Sequence, residues 1–161
     1  MKRKKIKELS GGMKQRLLIA QAFLGDPKVV FMDEPTAGLD PKERIRIRNL
    51  ISEMALGKIV LIATHIVSDV EYISKEILLL KHGEIIGSGN PESLEKELYG
   101  IVYEKKVTVE QLKEIQDKYL VAGIREEGNQ VVVRYLDSKS DEETTVWPTL
   151  DDVYLYHFYK E

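Results

Sequence analysis

Residues 8–40 read "ELSGGMKQRLLIAQAFLGDPKVVFMDEPTAGLD", and this stretch decides the fold. Ser10 is a good N-cap, and two glycines follow it. Met13, Leu17, Ala20 and Leu24 then recur at helical spacing and predict one apolar face. Gly25 closes that helix, and Pro27 prevents its return. Val29 to Met32 is a continuous apolar run bounded by Pro27 and Pro35, which predicts a short strand buried on both faces. Asp40-Pro41-Lys42-Glu43 opens the next helix. Asp40 caps it, Pro41 takes the first helical position, and Glu43 sits where a capping-box acid would.

Working outward, that helix runs to about Leu56 and ends at Gly57. Ile59 to Thr64 predicts a second buried strand, with His65 just past its end and a short helix around Ser68 to Ile73. Ile77 to Leu80 and Glu84 to Ile86 flank His82-Gly83, a hairpin signal. Asn90-Pro91 starts another short helix, to about Leu98. This strand–helix–strand alternation predicts an α/β layer with mainly parallel strands and flanking helices. After about Gly100 the texture changes. "VYEKKV" is a strand, Thr108 caps an amphipathic helix to Tyr119, a hairpin turns at Gly128-Asn129, and "TLDDVYLYHFY" is a terminal helix. The chain therefore divides into residues 1–100 and a small β-α-β-β-α appendage over 101–161. Trp147 and the tyrosines from 154 to 159 are expected in the core of that appendage.

Composition removes several function classes. With 43% hydrophobic and 32% charged residues, the chain is core-forming rather than disordered. Its longest apolar run, Ile59 to Ala63, is far below the ~20 residues that span a bilayer. No hydrophobic segment follows the basic run Lys2 to Lys7 before Ser10, so no signal peptide is expected. There are no cysteines, which excludes disulfides and thiolate metal sites. A net charge of −3, and a basic run without interleaved aromatics, argue against nucleic acid as a partner.

Two clusters carry chemistry. A buried strand that ends in Asp33-Glu34 delivers two carboxylates to its C-terminal edge, where ligands gather in open α/β sheets. Mg²⁺ takes one or two carboxylates, phosphate and water, and a second carboxylate can deprotonate an attacking water. His65, ending the next strand, can reach the same edge and donate to a terminal phosphate. Ser10-Gly11-Gly12 places a hydroxyl and close-approaching backbone N–H groups at a helix start, as a phosphate requires. Read singly, each has a plain alternative: Asp33-Glu34 as the start of a turn before Pro35, and Ser10-Gly11-Gly12 as an ordinary cap.

Taken together they do not stay plain. "LSGGMKQR", "VVFMDEP", "AGLD" and "ATH" occur in that order, and together they resemble the second half of the nucleotide-binding domain of ABC transporters. Leu9 to Gln15 resemble the signature motif, Val29 to Glu34 the Walker B strand, Ala37 to Asp40 the D-loop and His65 the switch histidine. The resemblance covers about residues 5–100. "PTLDDVYLYHF" resembles the ends of ATPase subunits that serve bacterial ABC-2-type exporters.

The resemblance implies a partial P-loop NTPase-like fold and a set of roles. Asp33 would hold Mg²⁺ through water, Glu34 would be the general base, and His65 would contact the γ-phosphate of ATP. Ser10, Gly11 and Gly12 would bind the γ-phosphate of a nucleotide held mainly by a second ATPase subunit in a head-to-tail dimer. Asp40 would signal across that interface, with Gln15 a weaker contact. A transmembrane permease subunit would be the other partner, and the location would be cytoplasmic, peripheral on the inner face of the membrane.

The family's Gly-x-x-x-x-Gly-Lys-Ser/Thr loop is not found in these residues. The one Gly-Lys pair, Gly57-Lys58, is followed by Ile59, and its earlier glycine would fall on Ser52. That loop supplies most of the grip on the β- and γ-phosphates. The expectation is therefore a truncated or split ATPase subunit that alone binds MgATP weakly and does not hydrolyse it, unless a P-loop segment is supplied. Apolar strand surface should also be left uncovered. Two other readings stand beside this one. One is a non-catalytic interaction module docking on an intact ATPase subunit. The other is a chromosome-maintenance or DNA-repair ATPase half, against which the absence of heptads before Ser10 counts.

Overall fold

The computed structural model describes residues 5–137 and 145–159. They form two compact units, which divide between Ile73 and Ser74.

In the first unit a 3₁₀ turn, Ile6–Glu8, leads into α1 (Gly11–Ala22), β1 (Val29–Asp33), α2 (Pro41–Met54), β2 (Ile59–Ala63) and α3 (Val67–Ile73). The strands pair in parallel, from Val29 opposite Ile59 to Asp33 opposite Ala63. Ser10 caps α1 by accepting from the Met13 N–H at 3.3 Å, and Asp40 caps α2 by accepting from the Glu43 N–H at 3.0 Å. The capping box expected at Glu43 does not close. Its carboxylate turns away to Arg46 at 2.5 Å and Arg16 at 3.5 Å, because two guanidinium groups outbid one backbone N–H.

The core of this unit gathers Ile19 and Phe23 of α1 and its C-cap, Val30 and Met32 of β1, and Ile47 and Ile51 of α2. Ile47 and Ile51 are completely buried, each contributing on the order of 1.5–3 kcal/mol. Two expectations are corrected here. The buried face of α1 runs through Gly12, Ile19 and Phe23, while Leu17 and Leu24 are exposed. The apolar residues of the helix are scattered around it among Lys14, Gln15, Arg16 and Gln21, so spacing alone could not select the stripe that meets α2. Nor is β1 buried on both faces: Val30 and Met32 point into the core, and Val29 and Phe31 point out. In β2 likewise Ile59 and Leu61 are exposed. The two-stranded sheet has one covered face and one bare apolar face.

The second unit opens with the hairpin β3 (Ile77–Lys81) and β4 (Glu84–Gly89). His82 and Gly83 both have positive φ, 53° and 84°, the signature of a type I′ turn. Helix α4 (Pro91–Glu97) is capped by Asn90. The appendage follows as β5 (Val102–Val107), α5 (Val109–Lys118), β6 (Leu120–Glu127), β7 (Gln130–Leu136) and α6 (Leu150–Tyr159). Its antiparallel sheet has the order β5-β7-β6. Thr108 and Gln111 close a reciprocal capping box at α5.

The α5 side of that sheet is built on Tyr103, Val107, Val133 and Tyr135, with Leu112 and Ile115 packed over them. The buried aromatics are therefore Tyr103 and Tyr135. Trp147 is half exposed and Tyr159 exposed, contrary to their expected place in the core. Trp147 leans on Tyr99 with ring centroids 5.8 Å apart and donates its indole N–H to Glu95, so its polar edge is met at the surface. His157 is half-buried, and its Nε2 lies out of solvent.

Candidate functional site

The parallel strands end level with one another, at Asp33 and Ala63. The final ladder bond runs from the Glu34 N–H to the Ala63 carbonyl at 2.8 Å. Glu34 itself takes φ 45°, in the left-handed region that a residue with a Cβ enters only at a cost of about 1–3 kcal/mol. That turn swings its carboxylate across to the end of β2. There Oε1 accepts from the His65 backbone N–H at 3.0 Å and lies 2.6 Å from the His65 ring Nδ1, while Oε2 accepts from the Thr64 hydroxyl at 2.9 Å.

Burial pushes the Glu34 carboxyl upward, but the hydrogen bonds from His65 and Thr64 outweigh it and hold the group below the usual glutamate range. Glu34 is therefore ionised at neutral pH, half-shielded, and held by three donors. His65 remains largely exposed, and the Thr64 hydroxyl is fixed in turn by the Ile66 N–H at 3.1 Å. A carboxylate beside an imidazole at an open strand edge can accept a proton from a water, and the imidazole can donate to an anion.

Asp33, the last residue of β1, is exposed at the same edge. Among the described residues no three His, Asp or Glu side chains converge as a metal cage. One exposed carboxylate nevertheless suits Mg²⁺, which keeps several waters and takes substrate phosphate as ligand.

The Ser10-Gly11-Gly12 turn belongs to a second cluster, against the start of α2. A Cβ on Gly11 would stand 3.9 Å from Leu39 Cδ2, and one on Gly12 would stand 2.6 Å from Glu43 Oε2. Gly12 is buried, Gln15 half-buried, and Asp40 exposed at its cap. The structure thus joins Glu34 to His65, and the glycine turn to the loop that ends in Asp40. The sequence marked Glu43 only as a capping acid and did not show its pairing with Arg16, which bridges α1 and α2. Their only trace in the sequence is opposite charge on two consecutive helices.

This chain is similar to several known proteins. The family model described as ABC transporter matches residues 1–37. ABC transporter A family member 8 of Dictyostelium discoideum is 38% identical over 108 residues, which is 67% of this chain and 13% of that protein. Nod factor export ATP-binding protein I of Rhizobium sp. (strain N33) is 40% identical over 97 residues, 60% of this chain and 32% of that protein. The chain thus spans about a third or less of the length of these relatives. Among solved structures, an ATP-binding cassette of an ABC transporter aligns over 54% of this chain and 35% of that one, at 33% identity and a TM-score of 0.49.

Proposed function

We propose, from its similarity to the ATP-binding proteins of ABC transporters, that this chain supplies the catalytic carboxylate, the switch histidine and the signature turn of an ATPase that powers export. The observation that carries the proposal is the Glu34 carboxylate, ionised and fixed between His65 and Thr64 at the end of two parallel strands.

In this reading Glu34 accepts a proton from the water that attacks the terminal phosphate of ATP, an effect worth about 10²–10⁴ in rate. His65 gives up its bond to Glu34 and donates to that phosphate. Asp33 would hold Mg²⁺, which would offset charge on the phosphates. The N–H groups at the start of α1, with Ser10, Gly11 and Gly12, serve a nucleotide held mainly by a second ATPase subunit. Asp40 and Gln15 lie at that subunit interface. A transmembrane permease is the other partner, and the complex sits on the cytoplasmic face of a membrane. No helix among the described residues is long and apolar enough to cross one. The family-like portion reaches about residue 100, and residues 101–161 form an accessory domain.

In this proposal residues 1–161 by themselves do not hydrolyse ATP, because no Gly-x-x-x-x-Gly-Lys-Ser/Thr loop lies within them. The bare face of the β1–β2 sheet supports this composite reading, with Phe31 at 74% exposure. The test measures phosphate release from MgATP. The chain alone should give none. Adding the P-loop half of a relative, such as the Nod factor export protein, should give turnover that Glu34→Gln abolishes. Tight, saturable ATP binding by the chain alone, or turnover indifferent to Glu34, would overturn the proposal.

A further inference from the structure

Beyond Asp33 and Ala63 the two strands stop pairing, so side chains must set where the loops that carry Glu34 and His65 go. One tie is the Glu34 carboxylate itself. A second lies deeper. Thr36, two residues past Glu34, is completely buried, and its hydroxyl donates to Oδ2 of Asp69. Asp69 is 3% exposed, in the first turn of α3 and four residues past His65.

Arg48 of α2 faces the same carboxylate. Its Nη1 lies 3.5 Å from Asp69 Oδ1 and donates to the Ser68 carbonyl at 3.0 Å, and its guanidinium rests over the Tyr72 ring at 4.5 Å. A buried carboxylate costs several kcal/mol unless it is paired and hydrogen-bonded. This one is met by one hydroxyl and one cation, drawn from two separate elements.

We propose that Thr36, Asp69 and Arg48 form a positioning clamp that holds the Glu34 carboxylate against the His65 imidazole. The proposal rests on Glu34 and His65 being the reacting pair. The three clamp residues touch neither water nor nucleotide in it. They tie the loop after β1 to the helix after β2, and anchor both to α2, the helix that Asp40 caps. Thr36 acts through its hydroxyl: serine would keep the tie, and valine, of the same shape, would leave Asp69 without its donor.

The test needs no nucleotide. With a carboxylate 2.6 Å away, His65 should carry its proton on Nδ1, which long-range proton–nitrogen NMR correlations of the ring detect. The signal is assigned by its loss in His65→Gln. Thr36→Ser should leave the Nδ1 proton in place. Thr36→Val should release it, with the Ile47 and Ile51 methyl signals reporting an intact core. Should Thr36→Val fail to fold, Arg48→Met carries the same expectation from the periphery of the clamp.

A folded variant that keeps the Nδ1 proton would overturn the clamp. In the complemented ATPase, Thr36→Val should lower kcat by about tenfold or more with KM little changed, and Thr36→Ser should restore it. If the ring responds but turnover ignores Glu34, the clamp stands and the ATPase reading falls. If turnover needs Glu34 but the ring does not respond, the clamp falls alone.

Discussion

Gly12 and Glu43 occupy each other's space: a Cβ on Gly12 would come within 2.6 Å of Glu43 Oε2 and 3.1 Å of its Cγ. In a helix interior alanine normally beats glycine by roughly 0.5–1 kcal/mol. Here Glu43 cannot swing aside freely, because Arg16 and Arg46 hold it. Gly12→Ala should therefore destabilise the first unit, by about 1 kcal/mol. In a Glu43→Ala background the same change should stabilise. A double-mutant cycle read by chemical denaturation measures the coupling.

Phe31 stands 74% exposed, beside Val29, Ile59 and Leu61, on the uncovered face of the parallel strand pair. Such a face drives association. Sedimentation velocity of the purified chain should show mass rising with concentration. Phe31→Glu should shift the distribution toward monomer while far-UV circular dichroism is unchanged. A strictly monomeric wild type would remove the premise.

Arg134 binds Asp152 through Nε at 3.0 Å and Nη2 at 2.6 Å, and reaches Glu104 with Nη1 at 3.1 Å. Asp152 is 1% exposed and also accepts from the Thr149 N–H and hydroxyl. Arg134→Met should cost about 3 kcal/mol, because it strands a buried carboxylate that Thr149 only partly satisfies. Adding Asp152→Leu should recover much of that loss. The chain has one tryptophan, Trp147, whose carbonyl also accepts from Arg134, so its fluorescence follows this unfolding directly.

Glu104 offers a test by pH. Arg125 donates to it twice, at 3.0 and 2.7 Å, and this outweighs the opposing effect of burial. Arg134 adds to it, and the carboxyl is held below the ordinary glutamate value of 4.5. A folded-state value below the unfolded one means stability that is fully present above about 4.5 and is lost as pH falls through the lower folded value. The second unit should therefore lose stability on acidification below that point. Glu104→Gln should be less stable at pH 7 and show a flatter decline, measured by thermal unfolding at stepped pH.

The parts of the fold that were legible in the sequence are those decided within a few residues. Ser10, Asp40, Asn90 and Thr108 cap the helices assigned to them, and His82-Gly83 and Gly128-Asn129 turn the expected hairpins. Fold class and the meeting of Glu34 with His65 followed from strand ends placed by apolar runs. What stayed hidden depends on partners far away in sequence. Thr36 meets Asp69 across 33 residues, and Arg134 meets Asp152 across 18, with no pattern in the sequence to announce either. Which face of α1 is buried also lay outside local reach, because a helix whose polar and apolar residues are mixed around it defers that choice to its neighbours.

The left-handed backbone at Glu34 has a consequence for anyone who varies that position. Glycine, and to a lesser degree asparagine, would relax the turn there, whereas glutamate is held in it against its own preference. A saturation library at residue 34 sorted on thermal resistance should thus rank glycine and asparagine near the top and the native residue well down. Sorted on turnover, the same library should invert. The distance between those two rankings would be a direct gauge of how far this loop has been shaped for something other than holding itself together.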